Sequence, residues 1–89
     1  ISKQAIIAAA AVNTRNALGL SGNTIVTSGH DSIHKPDSLH YKDCALDLRT
    51  RDLSGADIQQ WATAIRRRLG VQYQVIVETD HLHIEYDPK

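Results

Sequence analysis

The sequence predicts a small α+β domain, a mostly antiparallel sheet carrying two main helices, and three observations point there. Helical and strand-like stretches alternate in the order helix, strand, strand, helix, strand, strand. The last two strands are separated by a three-residue turn, so they pair as a hairpin. At 89 residues there is room for one domain, residues 1–89. Mixed elements joined by a hairpin favour α+β with a largely antiparallel sheet.

Residues 3–18 read as the first helix. Alanines dominate it and favour helix strongly, and Gly19 offers a stop. Ile6, Ala10, Asn13 and Ala17 share one face, with Ala9, Val12 and Asn16 flanking it. The run Ala5 to Val12 follows Lys3 and invites comparison with a signal peptide. It is short and flows into polar Asn13-Thr14-Arg15-Asn16, so a helix is the better reading. No apolar stretch approaches the ~20 residues of a membrane span.

Ile25-Val26-Thr27-Ser28 is a short β-branched run and a predicted strand. Residues 29–37 are polar, contain Pro36, and read as a loop. From Cys44 to Leu48 the pattern alternates. Cys44, Leu46 and Leu48 point to the core, while Asp47 points away from them, toward a cavity. A second helix spans 54–69. Ser54 to Asp57 resembles a capping box with Asp in place of Glu. Leu53 and Ile58 form a staple, and Ile58, Trp61, Ala62, Ile65 and Leu69 make the apolar stripe. Arg66, Arg67 and Arg68 complement the helix dipole as a solvated end. Residues 71–77 and 81–86 are the hairpin strands. In the second, His81, His83 and Glu85 face one side, and Leu82, Ile84 and Tyr86 the other.

Composition narrows the function. Ten basic and ten acidic side chains cancel, so no strong field draws the chain to nucleic acid or a membrane surface. A single cysteine, Cys44, excludes an internal disulfide. A bound metal is then the remaining staple for so short a chain. Two stretches about forty residues apart hold suitable donors: His40 with Asp47, and Asp80-His81-Leu82-His83. Imidazole nitrogens and a carboxylate suit Zn²⁺, and three protein ligands leave one position open for water. Two histidines and a carboxylate also serve non-haem iron oxygenases. The seven-residue spacing of His40 and Asp47 and the shortness of the chain disfavour that reading.

Ser38, His40, Ala45 and Asp47 resemble the Ser-x-His-x-x-Gly-x-Ala-x-Asp signature of the zinc D-alanyl-D-alanine carboxypeptidase family. That family includes VanX-type dipeptidases and phage L-alanyl-D-glutamate endopeptidases, and shares its fold with the hedgehog signalling domain. Asp80, His81 and His83 resemble its second signature, an acid three residues before the last histidine. The resemblance covers roughly residues 25–86. It implies one zinc per chain held by His40, Asp47 and His83, with Asp80 as general base and Glu78 as its rival. His81 would contact the substrate or orient a ligand. The implied substrate is a peptidoglycan peptide, with D-Ala-D-Ala carboxypeptidase or L-Ala-D-Glu endopeptidase activity. A phage-borne or cell-envelope setting follows from that.

Two positions depart from the family pattern. Asp43 stands where the signature has glycine. Ser28-Gly29-His30-Asp31-Ser32 stands where the family carries Ser-Gly-Tyr-Arg-Ser, so the substrate-binding arginine is missing. His34 and Arg49 are candidate replacements, and Ser38 matches a position near the metal. These departures motivate a second reading, a non-catalytic zinc-binding module on the same scaffold.

Overall fold

The computed structural model describes residues 1–28 and 44–88. Ser38, His34, His40 and Asp43, and the loop expected over 29–37, lie outside the described residues. Among the described residues the order is α1 (Lys3–Leu18), β1 (Val26–Ser28), β2 (Ala45–Arg49), α2 (Gly55–Leu69), β3 (Tyr73–Val77) and β4 (His81–Tyr86). The four strands form one antiparallel sheet in the order β1-β2-β4-β3. The α+β class is therefore as the sequence predicts. No helix among the described residues is long and apolar enough to cross a membrane.

The two helices start and stop where their end residues dictate. Ser2 accepts from the Ala5 amide at 3.0 Å and caps α1, and Gly19 closes it at φ 68°, a left-handed conformation that suits glycine. Ser54 accepts from the Asp57 amide at 3.1 Å and opens α2. At the other end Gly70 donates back to the Arg66 carbonyl at 2.9 Å. Arg66 also reaches across to the Val75 carbonyl at 2.9 Å. It thus ties the helix end to β3 instead of standing wholly in solvent.

Leu46, Leu48, Val75, Leu82 and Ile84 from the sheet meet Ile7, Ala11, Trp61, Ala62 and Ile65 from the helices. This is a two-layer core, with both helices on one face of the sheet. The other face carries the alternate residues of β2 and β4, among them Asp47, Arg49, His81, His83 and Glu85.

The buried face of α1 is Ile7, Ala10, Ala11, Thr14 and Arg15, not the face through Ile6, Asn13 and Ala17. The cause is Trp61. A buried indole N–H needs an acceptor, and Trp61 Nε1 donates to the Ala11 carbonyl at 3.2 Å and to Thr14 Oγ1 at 3.1 Å. Thr14 in turn donates to the Ala10 carbonyl at 2.7 Å. Arg15 lies over the Trp61 ring at 4.8 Å and donates to the Ser21 carbonyl. An all-round alanine helix has a weak apolar stripe, so these polar contacts decide its rotation. Corrections concern β1, which begins at Val26, β2, which runs one residue later than expected, and β3, which begins at Tyr73 because 71–72 form a turn. Cys44 is half-buried rather than core.

Thr14→Val is expected to cost about 1 kcal/mol, since it removes one of the two acceptors that share the buried Trp61 N–H. Asn13→Ala, on the exposed side, should stay within about 0.5 kcal/mol of the parent. Urea denaturation of the two variants checks the assignment, and equal losses would mean that the helix is rotated otherwise.

Candidate functional site

The candidate site lies on the sheet face away from the helices, and the register of β2 against β4 builds it. Asp47 pairs with His83, and Arg49 pairs with His81. Residues opposite each other in an antiparallel pair stand side by side on the same face. The two hydrophobic neighbours of each, Leu46 and Leu48 on β2 and Leu82 and Ile84 on β4, are buried below. Burial of those four side chains fixes the register, because a slip of one residue would turn them outward.

The resulting contacts form an alternating row of acids and imidazoles. Asp80 Oδ1 lies 2.7 Å from His81 Nδ1. His81 Nε2 lies 3.9 Å from Asp47 Oδ2. Asp47 Oδ1 lies 2.7 Å from His83 Nδ1, and His83 Nε2 lies 2.7 Å from Glu85 Oε1. Exposure grades along the row. The Asp47, His83 and Glu85 side chains are 25%, 25% and 26% exposed, His81 is 30%, and Asp80 is 77%.

Two local features hold the outer end. The Thr50 amide donates to the Asp80 carbonyl at 3.3 Å, and the Glu78 amide donates to the His81 carbonyl at 2.9 Å. The turn is thereby closed and tied to the end of β2. On the far side, β1 breaks register between Val26 and Ser28, so that Ser28 pairs with Asp47. Bulges of this kind are frequent beside active sites, where they terminate pairing or re-aim a side chain.

His83 meets a carboxylate at each ring nitrogen. An ionised carboxylate only accepts, so the ring must donate from both nitrogens and carry charge. Burial is the strongest single influence on His83 and lowers its pKa. The hydrogen bonds and charges of Asp47 and Glu85 together outweigh it, and the net direction is upward from 6.5. Asp80 moves the other way. The hydrogen bond from His81 lowers its pKa from 3.8, so it is a carboxylate at neutral pH.

Of the residues singled out from the sequence, Asp47, Arg49, Asp80, His81 and His83 share this part of the sheet. Asp47 and His83 are in direct contact, whereas Asp47 and His81 are too far apart for a hydrogen bond. Strand β2 does continue through Arg49, as its candidacy requires. The rival base Glu78 is exposed at the turn. His40, Ser38 and His34 lie outside the described residues. Among the described residues no three or more of these acids and histidines are arranged so that they could hold a metal ion, and the ligand set read from the sequence needs His40. Glu85 is the residue that the sequence reading left without a role. Its signal was the i, i+2 spacing from His83 on one strand face. No family model, curated protein or solved structure matches the chain.

With a chelator present, the His83 ring should titrate above the ordinary histidine value of 6.5. A raised folded pKa stabilises the fold below the unfolded value, and that contribution is lost as pH climbs through the folded value. Stability of the metal-free chain should therefore fall as pH rises from about 6 through the native His83 midpoint. Ring-resonance NMR across this range is the check, with Asp47→Asn expected to bring the midpoint down. A midpoint at or below 6.5 in the parent would contradict the assigned contacts.

Proposed function

We propose that this chain is a zinc-dependent peptidase that hydrolyses amide bonds in bacterial peptidoglycan peptides, on a scaffold of the hedgehog/DD-peptidase kind. The observation that carries the reading is the direct contact of Asp47 with His83 across β2 and β4, with Asp80 and His81 next in line. Asp47 of the first signature and His81 and His83 of the second, remote in sequence, lie on one sheet face.

Two of the described residues offer donors that would suit a zinc ion. Asp47 offers carboxylate oxygen and His83 offers imidazole nitrogen from adjacent strands, both donor types that zinc takes. His40 would be the third ligand. Zinc, when bound, supplies Lewis-acid polarisation of a scissile carbonyl and lowers the pKa of water.

The chain's own residues would do the rest. Asp80, ionised and largely exposed, would accept a proton from the attacking water and pass it to the departing amine. His81, held at Nδ1 by Asp80, would donate to the substrate carbonyl oxygen or steady Asp47. Arg49, in register with His81, would offer a cation to a substrate carboxylate, with His34 and Ser38 as further contacts. The substrate class is a peptide with a D-residue at the cleaved bond, of the D-Ala-D-Ala or L-Ala-D-Glu type. A phage-borne or cell-envelope setting suits that substrate.

A second reading keeps the zinc and drops the chemistry. Asp31 in place of the family arginine and Asp43 in place of its glycine favour a non-catalytic zinc-binding module.

Protein purified without chelator should carry one zinc per chain by elemental analysis. It should also release peptide fragments from purified peptidoglycan, read by mass spectrometry. Asp80→Asn should keep its zinc and lose about 10²–10⁴-fold in rate. Absence of stoichiometric zinc, or undiminished cleavage by Asp80→Asn, would sink the peptidase proposal. Zinc without turnover by the parent would select the non-catalytic module.

A further inference from the structure

His83 is held between two acids that are not equivalent. Asp47 comes from the neighbouring strand, pairs in register with His83, and touches the ring at Nδ1. Glu85 comes from the same strand two residues on and touches the ring at Nε2. Around the Asp47 end the polar atoms converge: two carboxylate oxygens, His83 Nδ1 at 2.7 Å, and His81 Nε2 at 3.9 Å. At the other end the ring meets Glu85 Oε1 at 2.7 Å.

We infer that Glu85 is a positioning residue for His83: it accepts the Nε2 proton and fixes the ring orientation, so that when zinc replaces the Nδ1 proton now held against Asp47, Nδ1 is the nitrogen presented to the metal. The inference rests on the zinc reading above and deepens it. A histidine that ligates through one nitrogen must keep its proton on the other, and a carboxylate on that second nitrogen sets both the tautomer and the ring orientation. Glu85 meets the geometric condition at a hydrogen-bond distance typical of a charged acceptor. Both side chains are about three-quarters buried, 25% and 26% exposed, so water competes weakly for the Nε2 proton. The arrangement also strengthens the donor. A negative charge behind the ring raises the basicity of the nitrogen in front of it. Glu85 thus would not touch substrate or metal and would act through His83 alone.

The opposite assignment, Nε2 to the metal with Glu85 as a ligand, is excluded or accepted by the same experiment. Zn²⁺ affinity is measured by competition with a chelating dye for the parent and for Glu85→Ala, Glu85→Gln, Asp47→Ala and His83→Ala. Circular dichroism shows which variants keep the fold. Long-range ¹H–¹⁵N NMR of zinc-loaded parent reports which ring nitrogen of His83 bears the proton. The expected result is a proton on Nε2, and a loss of about 10–100-fold in zinc affinity for Glu85→Ala. Glu85→Gln, which keeps an oxygen acceptor without its charge and is the milder change for folding, should lose less.

A proton on Nδ1 would overturn the inference, as would Glu85→Ala binding zinc within about twofold of the parent. So would a Glu85→Ala loss as complete as that of His83→Ala, which would make Glu85 a ligand. If Asp47→Ala and His83→Ala lose zinc while Glu85→Ala does not, the zinc reading stands and this inference alone fails. If the parent binds no zinc, both fail together.

Discussion

The contact between Asp47 and His83 is the constraint on which the rest of the site depends. It is a cross-strand pair, so its existence follows from the register of β2 against β4. That register is in turn held by Leu46, Leu48, Leu82 and Ile84, which lie against the helices. The apolar face of the sheet thus specifies the polar face. Shifting either strand by one residue would bury the acids and histidines and expose the leucines, at a cost no small domain could carry.

Given that pair, the neighbours take their places by period-two alternation alone. His81 and Glu85 flank His83 on β4, and Arg49 flanks Asp47 on β2. The result is a line of alternating negative and imidazole groups, from exposed Asp80 to the more sheltered Glu85. Such a line is costly to assemble unless each member is satisfied, and here each imidazole meets an acid. Mixed charges there are held in contact at 2.7 Å instead of being spread apart.

Much of this was legible in the sequence, and the misses have physical causes. The bounds of β4 and the stripe of α2 follow from strong periodicity, and both are as read. Which face α1 buries was not legible, because alanines look alike on every side. What turns the helix is a hydrogen bond from Trp61, 47 residues away in sequence, to Thr14. Polar Thr14 and Arg15 are inside for that reason, and no local pattern announces it. In the candidate site, alternation put Asp47 and His83 on the polar sides of their strands, and it was the resemblance to the family signatures that linked the two. Glu85 was seen to share their face but was given no task, since a glutamate on a strand surface is ordinarily solvated. Only the 2.7 Å contact with Nε2 distinguishes it. His40, Ser38 and His34 lie outside the described residues, and their part in the site stands on the sequence signature.

The most direct test of the central claim is a crystal structure of zinc-loaded protein with anomalous scattering recorded at the zinc edge. The expected result is one strong peak per chain, about 2 Å from the Asp47 carboxylate, the His83 ring and the His40 ring together. A peak elsewhere on the surface, or none beside Asp47 and His83 in crystals grown with zinc, would contradict it.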